Sequence, residues 1–277
     1  MSNLVSTDWL AAHLNDTNLA VLDATWHLPN LRRNAHGEFL ESHIPGARFF
    51  DLDKTSDQTT TLPHMLPEAE HFAAMMDKLG ISNDTHVIAY DSYGLFSAAR
   101  CWWMFKVFGH DKVSVLDGGL KKWRADGRPA ASGEPPPAIP VSFGAVLDSA
   151  MVRNMAQVAA SQAQVIDARS PTRFRGEEPE PRPGVRPGHV PGAKNLHYAS
   201  LLSADGTLKP QAELAQNVLN AGIDLEKPVI TSCGSGVTAA ILSLALTELG
   251  TKNHALYDGS WAEWGASERP VVTGVED

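Results

Sequence analysis

An internal repeat limits the possible folds of this 277-residue chain more than any other feature of its sequence. Four pairs of short motifs occur in the same order in the two halves, at offsets of roughly 141 to 146 residues. The pairs are HIPGA at 43–47 and HVPGA at 189–193, VI at 87–88 and at 229–230, DG at 117–118 and at 258–259, and Trp123 with Trp264. Such agreement in order and spacing rarely arises by chance, so the sequence predicts two copies of one domain.

Each half alternates short β-branched segments with longer segments of helical character. Strands are predicted at 19–24, 87–90 and 113–116 in the first half, and at 164–168 and 229–232 in the second. Helices are predicted at 7–13, 68–79, 97–108 and 237–249. Strands that alternate with helices usually pair in parallel. The predicted fold class is therefore α/β, with two tandem domains that each contain a mostly parallel sheet flanked by helices.

A proline-rich segment separates the two halves. Four prolines lie within residues 135–140, shortly after a serine and a glycine, which is typical of an extended linker. The sequence predicts an N-terminal domain over 1–127, a linker over 128–147 and a C-terminal domain over 148–277.

Composition excludes several classes of function. The formal net charge of −9 argues against a general binder of nucleic acid or of anionic membranes. No apolar run reaches membrane-spanning length, and the N-terminus lacks the features of a signal peptide. Two cysteines form no disulfide framework, so a cytoplasmic location is predicted. The eleven histidines show no metal-ligand spacing with cysteine, so no metal site is predicted.

Cys233 is the strongest candidate for a reactive side chain. It follows a predicted buried strand and precedes the segment GSGVT and a predicted helix. Successive N–H groups of such a turn point into one concavity, and the helix N-terminus adds partial positive charge. Both effects favour the thiolate, which is the reactive form of cysteine. The sequence therefore predicts that Cys233 is a nucleophile.

Two other interpretations of this segment remain open. Cys233 is a small buried apolar residue in the first, as we predict for Cys101 within the aromatic helix at 97–108. In the second, GSGVTA at 234–239 is a G-x-G-x-x-A dinucleotide motif. Fewer than about 30 residues follow the predicted helix, which is too few for the remaining strands of a dinucleotide-binding domain.

The corresponding turn of the first half carries Asp91 in place of the cysteine. An aspartate repels anions, whereas a thiolate is the group that a ring of N–H donors stabilises. The sequence therefore predicts that the first domain is catalytically silent and the second is active. A purely structural role for both turns is the alternative.

An arginine-rich loop at 170–186 follows a strand of the second half. The strand ends at the same edge of the predicted sheet as the Cys233 turn, and open parallel sheets bind ligands at that edge. Loop arginines there would stabilise the thiolate and bind a substrate carboxylate through paired N–H donors. A solvated surface loop is the alternative.

Asp53 and His64 flank a polar loop in the first half. Taken alone, His64 is an exposed loop histidine. If the two domains pack with their strand ends facing, His64 would lie near Ser235. A chain of Ser235, His64 and Asp53 would then be able to move protons.

Together these motifs resemble those of the two-domain rhodanese-like sulfurtransferases. The resemblance covers essentially the whole chain and rests on H-[IV]-P-G-A in each half, VSVLDGG at 113–119, EPRPG at 180–184 and CGSGVT at 233–238. In that family CGSGVT is typical of the branch that uses 3-mercaptopyruvate, and CRKGVT of the branch that uses thiosulfate. This sequence resembles the first branch, and thiosulfate:cyanide sulfur transfer is the alternative.

The resemblance implies a role for each candidate residue. Cys233 would accept sulfur as a persulfide, and Arg173 and Arg182 would hold the carboxylate and keto oxygen of the donor. Ser235, His64 and Asp53 would form the proton-moving set. The remaining loop residues that would surround the donor and the persulfide are Gly234, Gly236, Val237 and Thr238.

The resemblance also implies the partners of the protein. These are a small anionic sulfur donor and an acceptor, which is a small thiol, a thioredoxin-like protein or cyanide. No cofactor, metal, nucleic acid or membrane is expected to take part.

Two other classes of protein share features with this family. Rhodanese-related phosphatases use C-x₅-R, in which the arginine binds phosphate, but the sixth residue after Cys233 is Ala239. A non-catalytic binding module would lack the cysteine, as the first half does. The sequence therefore favours sulfur transfer over both.

Overall fold

The computed structural model describes residues 2–274, which divide into two compact units. Unit 1 consists of residues 2–58, Leu66–Asp148 and Ser203–Leu208. Unit 2 consists of Thr59–Met65, Ser149–Leu202 and residues 209–274. Within the described range each unit contains one sheet of five strands.

Unit 1 is built on a parallel sheet of strand order β1-β5-β4-β2-β3. Its strands are β1 (Leu4–Val5), β2 (Leu19–Asp23), β3 (Arg48–Phe49), β4 (His86–Tyr90) and β5 (Val113–Leu116). Its helices are α1 (Thr7–His13), α2 (Ala35–Glu41), α3 (Leu52–Thr55), α4 (Ala69–Lys78), α5 (Ala98–Val107) and α6 (Gly119–Ala125), with a 3-10 turn at Pro29–Leu31.

Unit 2 repeats this arrangement with the strand order β6-β10-β9-β7-β8, again parallel throughout. Its strands are β6 (Val152–Arg153), β7 (Gln164–Asp167), β8 (Lys194–Asn195), β9 (Val229–Ser232) and β10 (His254–Tyr257). Its helices are α7 (Met155–Ala160), α8 (Pro171–Phe174), α9 (Gln211–Asn220), α10 (Ala239–Glu248) and α11 (Ser260–Trp264), with 3-10 turns at Ser149–Met151 and Tyr198–Leu201.

Both faces of the unit 1 sheet are covered. Ile88 and Tyr90 of β4 belong to an apolar cluster that includes Leu10 of α1 and Trp123 of α6. Adjacent strand residues point to opposite faces. The other face of β4 is covered by α5, whose residues are almost all buried. Parallel sheets are usually buried on both faces. Ligands therefore bind at the loops that follow the strands and not on the faces of the sheet.

The predicted α/β fold is confirmed, and so are the predicted strands, each of which lies within one residue of its expected ends. Ser6 caps α1 by accepting a hydrogen bond from the Trp9 amide at 3.1 Å. The helix predicted at 237–249 begins two residues later, at Ala239. The loop after β9 is correspondingly longer.

Each unit includes a short segment from the opposite half of the sequence. Thr59–Met65, which precedes α4 in the chain, belongs to unit 2, and Ser203–Leu208, which precedes α9, belongs to unit 1. In unit 1, Gly206 packs on the turn after β4, so closely that a Cβ atom on Gly206 would lie 3.0 Å from the Cα of Gly94. We call Thr59–Met65 and Ser203–Leu208 the exchanged segments.

The proline-rich segment is largely irregular and its residues up to Asp148 are part of unit 1. Phe143 is buried against Phe72 of α4 and Phe105 of α5. The Phe143 amide donates to Asp77 and the Gly144 amide donates to Asn83, at 2.6 and 2.7 Å. This end of the segment is therefore fixed to unit 1. Among the described residues, no helix combines the length and the apolar character that a membrane span requires.

Candidate active site

Cys233 lies in unit 2, at the start of the loop that joins β9 to α10. It is buried, with 2% of its surface exposed. Gly236 takes a φ of +78° within the loop, a conformation that favours glycine. The loop thus turns sharply and delivers its last residues to the N-terminus of a ten-residue helix.

Helix α11 fixes the peptide groups of this loop. The Trp261 amide donates to the Cys233 carbonyl at 3.0 Å, and the Ala262 amide donates to the Gly234 carbonyl at 2.9 Å. In a trans peptide the carbonyl and the following N–H point in opposite directions. The amides of Gly234 and Ser235 therefore point away from α11.

Four loop amides have no acceptor within residues 2–274. These are the amides of Gly234, Ser235, Val237 and Thr238. Such a set of amides ahead of a helix N-terminus is the usual composition of an anion-binding nest. Donors of this kind are able to stabilise an anion at this loop.

Ser260 holds the amide of Cys233 itself. The Cys233 amide donates to Oγ of Ser260 at 3.2 Å, and Oγ of Ser260 donates to the Tyr257 carbonyl at 2.8 Å. Ser260 is fully buried and has a φ of +50°. The corresponding residue of unit 1, Gly119, has a φ of +54°. At this position of positive φ, unit 1 therefore has glycine, which favours the conformation, whereas unit 2 has serine, which adds a hydroxyl group.

His64 and Ser235 are in contact. His64 belongs to the exchanged segment Thr59–Met65, and its Nδ1 lies 3.0 Å from Oγ of Ser235. His64 is 5% exposed and has a φ of +60°. An imidazole hydrogen-bonded to a hydroxyl can pass a proton in either direction, according to its tautomer.

Asp53 lies in unit 1, at the start of α3. Its carboxylate accepts from Nε1 of Trp26 at 3.2 and 3.3 Å. The indole N–H therefore fixes the orientation of this carboxylate.

Arg173 covers the loop beside Cys233. It lies on α8, and a Cβ atom built on Gly234 would lie 3.3 Å from its Nη2. This distance is shorter than an ordinary van der Waals contact, so a side chain at position 234 would require the guanidinium to shift by a few tenths of an ångström. Arg182 is half-buried in the loop after α8.

A buried network of charges stands behind Arg173. The carboxylate of Glu180 accepts from Nη1 of Arg169 at 2.7 Å and from the Nε and Nη2 groups of Arg173. Arg169 also donates to Asp167 and lies over the ring of Trp261, 4.5 Å from its centre. Burial favours the neutral form of Arg169, but Asp167 and Glu180 outweigh it and hold the pKa of Arg169 above its ordinary value.

The equivalent loop of unit 1 is filled by its own aspartate. The Asp91 carboxylate accepts from the amides of Tyr93, Gly94, Phe96 and Ala98 at 2.7 to 3.1 Å. Asp91 is fully buried, and burial raises its pKa although these four donors act in the opposite direction. Four loop amides after β4 are therefore occupied by a side chain, whereas the amides of Gly234, Ser235, Val237 and Thr238 after β9 have no acceptor within residues 2–274.

Ser260, Glu180 and Arg169 lie at the site but were not predicted from the sequence. A signal was available for Ser260, because DGSW at 258–261 corresponds to DGGL at 117–120. Glu180 stands in the EPRPG segment, but an acidic residue beside arginines is more often part of a solvated surface. Burial of its side chain to 4% exposure is visible only in the structure.

Comparison with known proteins places the chain in one family. The rhodanese-like domain family matches residues 6–126 and 152–267. The 3-mercaptopyruvate sulfurtransferase of Homo sapiens is 45% identical, over 96% of this chain and 93% of that protein. Thiosulfate/3-mercaptopyruvate sulfurtransferase 1, mitochondrial, of Arabidopsis thaliana is 43% identical, over 99% of this chain and 78% of that protein.

A solved structure agrees with the same assignment. The crystal structure of a 3-mercaptopyruvate sulfotransferase from Escherichia coli superimposes with a TM-score of 0.84 at 42% sequence identity. The match covers 94% of this chain and 99% of that structure. The chain therefore belongs to the rhodanese-like family and carries two copies of its domain.

Proposed function

We propose that the protein is a 3-mercaptopyruvate sulfurtransferase that works through a persulfide on Cys233. One observation carries the proposal. Cys233 begins a loop in which α11 binds the carbonyls of Cys233 and Gly234, and in which the amides of Gly234, Ser235, Val237 and Thr238 have no acceptor among the described residues. The guanidinium of Arg173 lies next to this loop. The names of the full-length relatives support the same donor.

In the first half-reaction the Cys233 thiolate attacks the sulfur of 3-mercaptopyruvate. A sulfur–sulfur bond forms, and the carbon–sulfur bond of the donor breaks with its electron pair passing to carbon. Pyruvate leaves as its enolate, and Cys233 becomes a persulfide. The amides of Gly234 and Ser235 stabilise the negative charge on the outer sulfur.

Arg173 and Arg182 bind the carboxylate and the keto oxygen of the donor. Paired N–H donors on a guanidinium fit a carboxylate and fix its orientation. A cation beside the keto oxygen also stabilises the enolate, because the charge that develops during the reaction lies on that oxygen.

The Ser235–His64 pair supplies the proton that converts the enolate to pyruvate. The proton released from the donor thiol replaces the one that the pair donates, so the persulfide is left as an anion. Asp53 orients the pair, as the family resemblance implies. Proton transfer by positioned side chains of this kind contributes about 10² to 10⁴ in rate.

In the second half-reaction an acceptor removes the outer sulfur and restores the thiolate. The acceptor is a small thiol or a thioredoxin-like protein, and cyanide serves in its place in the assay. Two separate half-reactions give ping-pong kinetics. Because Cys101 and Cys233 are both free, we also propose that the protein works in the reducing cytoplasm.

Replacement of the nucleophile tests the proposal directly. Cys233→Ser is expected to abolish pyruvate release from 3-mercaptopyruvate, since a serine hydroxyl does not accept sulfur under these conditions. Intact-mass measurement after mixing with donor alone is expected to show one added sulfur atom on the unmodified enzyme and none on the variant. Cys101→Ser is the matched control and is expected to keep the adduct. An enzyme without any adduct, or an active Cys233→Ser variant, would contradict the proposal.

Thiosulfate is the second candidate donor. The Arabidopsis relative carries both donors in its name. Initial rates with the two donors, measured side by side with cyanide as acceptor, decide between them. We expect 3-mercaptopyruvate to give the higher kcat/KM because GSGVT adds no cation to the loop.

A further inference from the structure

Glu180 binds Arg173 by one particular edge of its guanidinium. Oε1 of Glu180 accepts from Nε of Arg173 at 3.4 Å, and Oε2 accepts from Nη2. Two parallel bonds of this kind fix the plane of a guanidinium as well as its position. The Nη1 group of Arg173 donates no hydrogen bond to any residue of 2–274. The edge formed by Nη1 and Nη2 is therefore left for another carboxylate.

The carboxylate that holds Arg173 is itself rigidly held. The Glu180 side chain is 4% exposed and also accepts from Nη1 of Arg169. Arg169 in turn is fixed by Asp167, by the Gly188 carbonyl and by the ring of Trp261. Since the Trp261 amide binds the Cys233 carbonyl, Arg173 and the reactive loop are held by one connected set of contacts.

The network also balances its own charge. Asp167 and Glu180 are two carboxylates, and Arg169 and Arg173 are two guanidiniums, so the four groups together are neutral. A donor with one negative charge brings the group to −1, whereas a donor with two brings it to −2. Because these side chains are largely buried, such excess charge disfavours the more highly charged donor.

We propose that Glu180 is the residue that positions Arg173 and sets the preference of the site for a donor with a single carboxylate. The inference rests on the proposed function, in which Arg173 binds that carboxylate. Glu180 acts through Arg173 and does not touch the donor. It presents the Nη1/Nη2 edge to the donor, and its negative charge keeps the doubly charged thiosulfate a poor competitor.

Glu180→Gln tests the charge. The amide keeps the shape of the side chain, but it removes one negative charge and replaces one acceptor by a donor. We expect kcat/KM for 3-mercaptopyruvate to fall about tenfold and the ratio of kcat/KM for thiosulfate to that for 3-mercaptopyruvate to rise by about tenfold or more. A general loss of stability lowers both values together and leaves the ratio unchanged, so the ratio is the decisive readout.

Glu177→Gln is the matched control. Glu177 lies in the same loop and pairs with Arg175, and its side chain is 50% exposed. Because an exposed pair is screened by water, we expect the donor ratio to change less than about twofold. Equal ratios in the two glutamine variants would overturn the proposal.

A double variant tests whether Glu180 acts through Arg173. In an Arg173→Gln background, adding Glu180→Gln is expected to change the donor ratio less than about twofold, because non-additivity is the signature of a shared role. A full second shift in that background would show that Glu180 acts by another route.

Glu180→Asp tests the positioning and covers the case in which the glutamine variant does not fold. Aspartate keeps the charge, but its side chain is shorter and no longer holds Arg173 in the same position. We expect KM for 3-mercaptopyruvate to rise about fivefold. The donor ratio of this variant is expected to lie closer to that of the unmodified enzyme than the ratio of Glu180→Gln does. An unchanged KM would contradict the positioning role. If the unmodified enzyme itself transfers no sulfur from 3-mercaptopyruvate, the proposed function has failed, which is a different outcome.

Discussion

Two residues at the candidate site hold a backbone conformation that side chains seldom adopt. His64 has a φ of +60° and Ser260 a φ of +50°, and both contact the loop of Cys233. A left-handed conformation costs roughly 1 kcal/mol or more for a residue with a Cβ atom. The surrounding contacts must supply that energy, and both residues contribute a polar side chain that glycine lacks.

Ser260 is predicted to speed persulfide formation at Cys233 although its backbone conformation is unfavourable. Ser260→Gly removes the hydroxyl that accepts from the Cys233 amide but relieves the backbone, so we expect persulfide formation to slow about fivefold with little change in Tm. Ser260→Ala removes the same hydroxyl and keeps the strain, so we expect the same slowing with a loss of about 1 kcal/mol in the free energy of unfolding.

Stopped-flow measurement of pyruvate release and thermal unfolding of the two variants separate these effects. A glycine variant that forms the persulfide at the original rate would show that the hydroxyl has no part in the reaction.

At the scale of elements, the same strand end has a different electrostatic environment in each unit. Asp23 ends β2 of unit 1, and Asp167 ends β7 of unit 2. Asp167 is paired with Arg169, whereas the residue two positions after Asp23 is Thr25, whose amide donates to Asp23 at 2.9 Å. Burial raises the pKa of Asp23 to about 6, although the hydrogen bonds from Thr25 oppose it.

The raised pKa of Asp23 predicts a pH dependence of stability. Between about pH 4 and pH 6 the folded protein retains a proton that the unfolded chain has lost, so this residue lowers stability as the pH rises through that window. Asp23→Asn cannot ionise. We expect the variant to gain on the unmodified protein by on the order of 1–3 kcal/mol between pH 4 and pH 7, measured by urea unfolding at each pH. A difference that does not vary with pH would contradict the assignment.

The sequence revealed the elements that have a clear pattern. The central strands β4 and β9 are fully buried runs of four or five residues, and the helices α5 and α10 are long and apolar, so each was predicted within two residues. The strands β3 and β8 have two residues each, which is too short for any periodic signal. They form because the main chain after each HxPGA motif passes the edge of a sheet that already exists.

For the whole molecule, the exchanged segments are the feature that links the two halves. His64 and Gly206 occupy similar places in the two segments, and both have a positive φ, +60° and +90°. His64 contacts Ser235 in the loop after β9, and Gly206 packs on Gly94 in the loop after β4. The loop after β4 and the loop after β9 are thus each covered by a segment from the opposite half of the chain.

His64→Gly is predicted to remove the contribution of the imidazole to the reaction without destabilising the fold. Glycine suits the backbone at this position, so we expect Tm to be unchanged and kcat for 3-mercaptopyruvate to fall about a hundredfold, as for the loss of a proton-transferring group. Gly206→Ala is the control at the corresponding place in unit 1. Its Cβ atom would meet Gly94, so Tm is expected to fall while kcat of the folded protein stays the same. A His64→Gly variant with full kcat would contradict the proton-transfer role.

The repeat revealed the number of domains and the contrast between Asp91 and Cys233, because both follow from patterns along the chain. It did not reveal that Thr59–Met65 belongs to unit 2, since a polar loop of Thr, Ser and Gln carries no signal of its packing partner. Nor did it reveal the network of Glu180, because burial of a charged side chain depends on contacts with Arg169 and Arg173 that no local pattern records.

The exchange has a consequence for how the protein is made. A ribosome completes the strands of unit 1 by residue 116, but Ser203–Leu208 emerges only after β6, β7 and β8 of unit 2 have been translated. Unit 1 therefore remains incomplete until late in synthesis, because the turn at Gly94 is not yet covered by Gly206. Its final closure and the seating of His64 against Ser235 both belong to the last stage of biogenesis.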